Sequence, residues 1–166
     1  MCDPRVGLGI DFHRLDPSRP LILGGVTIPH DQGLLGHSDA DVLTHAICDA
    51  LLGAAGLGDI GVHFPDSDAR YRGASSLDLL AQVVEMLAAA GYAPGNVDAT
   101  IIAERPKLTP HFEAMRAELS PVLGLDAERI GLKATTSEGM GALGRAEGMG
   151  AMAVALIGRA TQDPCT

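Results

Sequence analysis

The sequence has few aromatic residues and no long apolar run. Only 3% of its residues are Phe, Tyr or Trp, and tryptophan is absent altogether. No segment approaches the roughly 18 consecutive apolar residues of a membrane-spanning helix, and the first residues lack the apolar region of a signal peptide. These absences predict a soluble, cytoplasmic protein with no membrane partner.

Cysteine and positive charge are also scarce. Cys2, Cys48 and Cys165 are odd in number, far apart and without CxxC spacing, which fits a reducing compartment better than a disulfide framework. Twelve Lys and Arg against 21 Asp and Glu give a net charge of −9, which argues against a surface for nucleic acid or anionic membrane. An anionic ligand would have to be met locally, by metal ions, helix N-termini and a few basic residues.

Small apolar residues and glycine are abundant instead. Hydrophobic residues make up 46% of the chain, and there are 21 glycines. We therefore expect a closely packed core of Ala, Leu, Ile, Val and Met. The length fits one domain, residues 1–166, with an ordered core of about residues 5–160 and a frayed tail at 162–166.

The hydrophobic periodicity predicts strands and helices in the order β-ββ-α-α-β-α-β-β. The segment LILGGVTI predicts a hairpin that turns at Gly24-Gly25, and AMAVALIGRA favours a last strand without excluding a helix. The expected fold class is α+β, a mixed sheet with helices on one face, whose other face a second copy of the chain would cover. Three helices are expected, from Ser38 or Asp41 to Gly53 or Gly56, from Ser75 or Ser76 to about Ala90, and from Pro110 to near Gly124.

An Asp-x-His pair on the first strand suggests a metal site. Strict alternation puts Asp11 and His13 on one face, about 7 Å apart, beside glycines that leave room for another group. On the first helix, Asp41, His45 and Asp49 follow one another at one-turn spacing, so His45 is a possible third ligand and either carboxylate a possible partner for it. Two His and one Asp leave one coordination position open, as in catalytic zinc sites. Taken alone, the helix pattern is also that of a solvated face with a surface histidine.

Four segments together resemble a known family. GIDFH, LLGHSDADVLTHAICDALLGAAGLGDIGVHFPDSD, NVDATIIAERPKL and KATTSEG…GRAEG are similar to the 2-C-methyl-D-erythritol 2,4-cyclodiphosphate synthases, from Val6 to about Ile157. The resemblance implies a lyase of the non-mevalonate route to isoprenoid precursors. In its reaction, the 2-phosphate of 4-diphosphocytidyl-2-C-methyl-D-erythritol 2-phosphate attacks the β-phosphorus of the diphosphate, CMP leaves, and a cyclic diphosphate remains. It also implies a ferredoxin-like sandwich, and a homotrimer with its sheets around the axis and its active sites between subunits.

The resemblance also implies the metal ligands. Asp11, His13 and His45 would hold Zn²⁺, with a substrate phosphate completing the tetrahedron. Glu138 would hold Mg²⁺ or Mn²⁺ bridging the diphosphate. Phe12, where the family often has Val, should point away from the metal.

Catalytic and substrate-binding positions follow in the same way. His37 and Ser38 would contact the phosphate at the start of the helix, His37 would also help to stabilise the transition state, and Thr136 would contact a phosphate. The methylerythritol pocket would comprise Asp59, Ile60, Gly61, Phe64, Pro65, Asp66, Ser67 and Asp68, and the cytidine site Ala103, Glu104, Arg105, Pro106, Lys107, Leu108, Thr109, Ala134, Thr135 and Ser137.

Two further positions, Ala142 and Arg145, complete the binding residues that the resemblance implies. Arg145 and Glu147 would lie near the trimer axis, where several members of the family hold an isoprenoid-like ligand or a phosphate in a cavity. Ala142 stands where some members have Phe, so the cavity is altered here.

Two other functions fit part of the same pattern. A metal-dependent phosphohydrolase would use Asp11, His13 and His45 to activate water, although the ERPKL and KATTSE segments argue against it. A binding module without activity would have a structural metal and an axial cavity for a lipid phosphate. A metal coordinated entirely by protein would favour that module.

Overall fold

The computed structural model describes residues 3–160; Cys2, Cys165 and the expected frayed tail lie outside them. In this part of the chain, the strands are β1 (Arg5–Asp16), β2 (Leu21–Leu23), β3 (Val26–Ile28), β4 (Gly33–Leu34), β5 (Tyr92–Ile102), β6 (Ile130–Thr135) and β7 (Gly148–Arg159). The helices are α1 (Val42–Ala55), α2 (Ile60–His63), α3 (Ser76–Ala89), α4 (Phe112–Leu123) and α5 (Gly141–Gly144). None of these helices is both long and apolar enough to cross a membrane.

A mixed sheet of five strands organises the fold, as expected for an α+β protein. Its order is β4-β1-β7-β5-β6, and β2 pairs with β3 in a separate hairpin. Strands β5 and β6 run parallel, whereas β1 and β5 each pair with β7 antiparallel. The expected first and last strands, the hairpin turning at Gly24-Gly25 and the three longer helices are confirmed. The third of these helices begins at Phe112, two residues after the expected proline, because a 3₁₀ turn occupies Thr109–His111.

Helix α1 packs against one face of the sheet at backbone contact distance. A Cβ atom added to Gly7 would lie 2.0 Å from the carbonyl oxygen of Ala50, and one added to Gly9 would lie 1.9 Å from that of Ala46. The room expected beside these glycines is therefore occupied by the backbone of α1. This contact brings the helix close to Asp11 and His13 on the same face of β1.

The opposite face of the sheet carries exposed apolar side chains. The alternation expected for β1 is confirmed, but its large apolar side chains face away from the helices. On β7 the same face continues, with Leu8 paired to Val154 and Ile10 to Met152 across the strands. The exposed fractions of these side chains range from 40% for Met152 to 67% for Val6. Two adjacent strands thus present a continuous apolar surface, which in soluble proteins marks an interaction site.

Asp41, rather than Ser38, caps helix α1. Its carboxylate accepts hydrogen bonds from the backbone N–H and hydroxyl of Thr44 and from the N–H of Gly25, and its side chain is fully buried. Burial raises the pKa of this carboxyl, which the hydrogen bonds only partly offset. The helix ends at Gly56 in the left-handed conformation, the second of the two expected stops.

Candidate active site

Three side chains from distant parts of the sequence converge beside the sheet. The Oδ2 atom of Asp11 lies 2.9 Å from Nε2 of His13 and 3.0 Å from Nδ1 of His45, and these two nitrogen atoms are 3.2 Å apart. The expected cluster of three metal-binding side chains is confirmed. Strand β1 supplies two of them and helix α1 the third, at the position where Gly7 and Gly9 allow helix and strand to approach.

The triangle of donor atoms has the dimensions of a metal site. In a tetrahedral zinc site with bonds of about 2.0–2.1 Å, neighbouring ligand atoms are about 3.3 Å apart. The three observed separations, 2.9 to 3.2 Å, lie only slightly below this value. Two nitrogen donors and one carboxylate oxygen suit zinc, and three protein ligands leave a fourth position free. The residues present therefore fit a catalytic metal site.

Hydrogen bonds on the outer side of each ring orient the two histidines. Nδ1 of His13 donates a hydrogen bond to the carbonyl oxygen of Leu35 at 2.8 Å. The lone pair of Nε2 therefore remains available to a metal. Nε2 of His45 lies 2.9 Å from the hydroxyl of Ser76 and 3.1 Å from that of Ser38, so its Nδ1 faces the other two ligands. Asp41 and Asp49, expected as partners of His45, are engaged elsewhere: Asp41 caps the helix and Asp49 accepts the N–H of Ile60 at 2.8 Å.

The electrostatics of the cluster favour an ionised carboxylate. Burial alone would raise the pKa of Asp11, but its hydrogen-bonding contacts with the rings of His13 and His45 outweigh it and hold that pKa well below its usual range. Burial alone would lower the pKa of His13, but its bond to Asp11 outweighs this and raises it. Burial raises the pKa of Asp49, despite its bond to Ile60.

The cluster lies in a cavity of about 600 Å³. Both residues expected to contact the phosphate at the start of α1, His37 and Ser38, line it. Arg19 fixes the loop that carries them, because its guanidinium donates to the carbonyl oxygen of Ser38 at 2.5 Å. From the expected methylerythritol pocket, the cavity includes Ile60, Gly61, Phe64, Pro65 and Asp66.

The other three residues of that pocket do not line the cavity. Asp59 is the N-cap of α2, its carboxylate accepting the N–H of Val62 at 3.0 Å. Asp68 pairs with Arg70 at 2.6 Å, and hydrogen bonds from this arginine lower its pKa. Ser67 is exposed. Their part in binding stays a prediction.

A second groove, of about 390 Å³, forms where the parallel strands β5 and β6 end. Two segments of the sequence line this groove, and both are expected to bind the cytidine of the substrate. The groove shares no residue with the first cavity. Register across β1, β7 and β5 places both openings at the same end of the sheet, since Phe12 and Ile102 both pair with Gly150. The lining residues of the second groove are Ala103, Glu104, Pro106, Lys107, Leu108, Thr109, Ala134, Thr135, Thr136 and Glu138.

Glu104 ties these two segments together. Its Oε1 atom accepts the N–H and hydroxyl of Ser137, both at 3.0 Å, and the N–H of Gly139 at 3.3 Å. Burial alone would raise the pKa of Glu104, but these bonds outweigh it and lower that pKa. The carboxylate expected to bind cytidine thus holds the loop that presents Thr136 and Glu138.

Besides Asp59, Ser67 and Asp68, four more of the expected binding residues lie outside both linings. Arg105 is exposed beside the second groove, and Ser137 is engaged by Glu104. Ala142 belongs to the short helix α5, and Arg145 follows it and pairs with Glu147 at 2.6 Å. Contact of these residues with a ligand stays a prediction.

Sequence reasoning missed the residues that support the cluster. Ser76 and Asp39 lie behind His45, and Leu35 lies behind His13. A serine at the start of a predicted helix is typical of a cap, which masked its other role. In fact Ser75 occupies the cap position, without a side-chain capping bond. The hydroxyl of Ser76 contacts His45 instead.

The chain matches known proteins over nearly its full length. A model described as the YgbB family matches residues 4–158. The 2-C-methyl-D-erythritol 2,4-cyclodiphosphate synthase of Alkaliphilus metalliredigens is 58% identical over 155 residues, which are 93% of this chain and 98% of that one.

Solved structures agree with these sequence matches. The CDP-bound form of a 2C-methyl-D-erythritol-2,4-cyclodiphosphate synthase is similar with a TM-score of 0.85 and 43% identity, over 93% of this chain and all of that one. The bifunctional IspDF of Campylobacter jejuni is similar with a TM-score of 0.91 and 41% identity. In that case 96% of this chain matches 43% of the longer protein.

Proposed function

The chain belongs to the YgbB family, and we propose that it catalyses formation of 2-C-methyl-D-erythritol 2,4-cyclodiphosphate in the non-mevalonate isoprenoid pathway. The enzyme is a CMP-forming lyase acting on 4-diphosphocytidyl-2-C-methyl-D-erythritol 2-phosphate. The observation that carries this proposal is the triangle of Asp11, His13 and His45, open to a cavity lined mostly by the longest of the four segments that resemble the family. A single domain, residues 1–166, carries the activity, and the family model covers most of it.

The chemistry of the reaction explains the residues around the triangle. The attacking 2-phosphate and the diphosphate are both anionic, so charge repulsion is the main obstacle. A divalent cation held by the three ligands would supply positive charge beside a substrate phosphate. His37 and Ser38 line the same cavity and would donate hydrogen bonds to that phosphate. Because the attack is intramolecular, holding the 2-phosphate and the diphosphate in the right orientation provides much of the rate acceleration.

The identity of the metal ions is part of the proposal. The two nitrogen donors and one carboxylate favour Zn²⁺ at the triangle. Glu138 lines the second groove beside Thr136 and is exposed, and its carboxylate would hold a second ion, Mg²⁺ or Mn²⁺, which would offset the charge of the diphosphate. Thr136 would then contact the phosphate next to this ion.

The second groove is the proposed cytidine site. It opens where two segments of the family pattern meet, and a related synthase has been solved in a form described as CDP-bound. Backbone groups of residues 103–109 and 134–136 would bind the base and ribose, while Lys107 lies close enough to the groove to neutralise a phosphate.

The proposed assembly is a homotrimer of ferredoxin-like sandwiches whose sheets surround the axis. Two features support it: the apolar surface on β1 and β7, and the separation of the metal cavity from the nucleotide groove within one chain. A neighbouring subunit would bring its nucleotide groove to the metal cavity of the first. Ala142 and Arg145 would then lie near the axis, where an isoprenoid or a phosphate ligand would bind. We also propose a cytoplasmic location, which the free, buried thiol of Cys48 supports.

The ligand set is tested by replacing His45 with alanine. We expect His45→Ala to lose the tightly bound zinc and to release CMP at least about a thousandfold more slowly, because only two ligands remain. His63→Ala is the matched control, since His63 lies nearby on α2 and bonds only to the carbonyl of Leu57. Elemental analysis and chromatographic measurement of CMP give both readouts. Full zinc content with normal CMP release in His45→Ala would contradict the site.

A further inference from the structure

His45 differs from His13 in what lies behind its ring. His13 donates to a backbone carbonyl, that of Leu35, which no side-chain substitution removes. Behind His45 lies a chain of side chains instead. Its Nε2 is 2.9 Å from the hydroxyl of Ser76, which in turn bonds to Oδ1 of Asp39. Ser76 is fully buried, so water cannot replace these contacts.

The direction of each hydrogen bond in this chain follows from Asp39. An ionised carboxylate only accepts, so the hydroxyl of Ser76 donates its single proton to Oδ1 of Asp39. The N–H of Ser76 donates to the other carboxylate oxygen at 2.9 Å, which fixes the pair in one arrangement. The hydroxyl oxygen of Ser76 is then left as an acceptor, and Nε2 of His45 must be the atom that carries a proton.

From these contacts we infer that Ser76 and Asp39 form a relay that holds His45 in the tautomer protonated at Nε2. Nδ1 then presents its lone pair to the metal position that it shares with Asp11 and His13. Both residues are positioning residues: neither lines the cavity, and they act on the reaction only through His45. This inference rests on the metal site of the proposed function, and it assigns the partner of His45 that Asp41 and Asp49 do not supply.

Ser38 has a separate role in the same arrangement. Its hydroxyl oxygen lies 3.1 Å from Nε2 of His45 and accepts the N–H of Ala40 at 3.1 Å. Unlike Ser76, it lines the cavity. With its oxygen used as an acceptor, the proton of Ser38 remains available to a phosphate. The two serines beside His45 therefore have different roles: Ser76 fixes the orientation of the ring, and Ser38 faces the substrate cavity.

Ser76→Ala tests the relay, with Ser75→Ala as the matched control. Ser75 is the adjacent residue and makes no side-chain capping bond. Removing a partner behind a metal-bound histidine lowers metal affinity by about 10- to 100-fold. We expect this loss of zinc affinity in Ser76→Ala and no change in Ser75→Ala, measured by competition with a chromophoric chelator. The absorption spectrum of the Co²⁺-substituted protein should change in Ser76→Ala alone.

Asp39→Asn is a second variant that removes no volume. An amide has only one acceptor oxygen, so it cannot accept both protons of Ser76. The N–H of Asp41 also donates to Oδ1 of Asp39, at 3.2 Å, so an amide in either orientation turns its nitrogen toward one of these backbone N–H groups. The hydroxyl of Ser76 is then held less firmly and can turn to donate to His45, which moves the ring proton to Nδ1 and blocks the metal. Long-range ¹H–¹⁵N NMR of the metal-free protein should show a larger share of His45 protonated at Nδ1 in Asp39→Asn than in the wild type.

The outcomes separate the relay from the metal site itself. A wild-type protein that binds no zinc would overturn the metal site and the relay with it. Wild-type zinc affinity in Ser76→Ala, together with an unchanged tautomer in Asp39→Asn, would overturn the relay and leave the site standing. If Ser76→Ala does not fold, as circular dichroism would show, the tautomer of His45 in Asp39→Asn decides.

Discussion

Individual carboxylates in this protein perform different tasks according to what surrounds them. Asp11 completes a metal-binding triangle, Asp41 caps a helix, and Glu104 holds a loop. All three carboxylates are hydrogen-bonded to polar groups, but of the three only Asp11 has two histidines beside it. Side-chain type alone therefore does not identify a ligand in a chain with 21 acidic residues; the neighbours do.

At the residue scale, Glu104 offers a prediction about the nucleotide groove. All three of its hydrogen bonds reach the single atom Oε1, so glutamine can keep them and alanine cannot. We expect Glu104→Ala to raise the KM for the cytidylyl substrate on the order of tenfold, since the loop carrying Thr136 and Glu138 is released. Glu104→Gln is the control and should stay within about twofold of the wild type. Steady-state kinetics would contradict this role of Glu104 if both variants behaved alike.

At the scale of elements, the contact between β1 and α1 determines whether the site forms. Its two glycines allow a helix backbone to touch the strand, and this contact brings His45 to Asp11 and His13. Packing and catalysis are linked here, because any side chain at Gly7 or Gly9 would push the third ligand away from the other two.

Gly9→Ala tests this contact. The new Cβ would lie 1.9 Å from the carbonyl oxygen of Ala46, so strand and helix must separate, and we expect a loss of at least about 3 kcal/mol in unfolding free energy. Gly53→Ala, within α1, meets nothing within 4 Å and should be neutral or stabilising by up to about 1 kcal/mol. Chemical denaturation followed by circular dichroism compares the two. Equal stability of both variants would show that the close contact is not required.

Local sequence signals predicted most helices and strands, but they could not predict how the strands of the five-stranded sheet pair. The alternation in β1, the Gly24-Gly25 turn and the stop at Gly56 each depend on neighbouring residues, and all are confirmed. Strand β4 has only two residues, too few for any periodicity, and the parallel pairing of β5 with β6 depends on contacts across the intervening helix α4.

The residues of the candidate site likewise differ in whether a local pattern could predict them. The metal triangle could be predicted because the spacing of Asp11 and His13 and the polar face of α1 are both local patterns. Ser76 lies 31 residues from His45 and Asp39 lies 37 from Ser76, so only the folded chain brings them together.

At the scale of the whole molecule, the apolar face of the sheet supports the proposed assembly. Six large side chains on β1 and β7 are exposed in the single chain, although the rest of the core is closely packed. The two grooves open at the same end of that sheet but on strands that are not adjacent. Contact between copies would both cover the apolar face and bring the grooves together.

Leu8→Glu tests the assembly. Leu8 lies in the middle of the apolar face, so a negative charge there should dissociate the proposed trimer, and CMP release should fall with it. Val62→Glu is the control, because Val62 is 68% exposed on α2, away from this face. Sedimentation velocity gives the mass of each variant. A trimeric, fully active Leu8→Glu variant would contradict the proposed interface.

Phosphorus NMR of the reaction products shows whether the metal triangle serves a cyclisation. The purified protein would be incubated with 4-diphosphocytidyl-2-C-methyl-D-erythritol 2-phosphate and Mg²⁺, before and after its tightly bound metal is removed. We predict two coupled signals from a cyclic diphosphate, CMP in equal amount, and loss of both after metal removal. Inorganic phosphate or an open-chain diphosphate would instead show a hydrolase, and unchanged substrate with a folded, metal-loaded protein would contradict catalysis altogether.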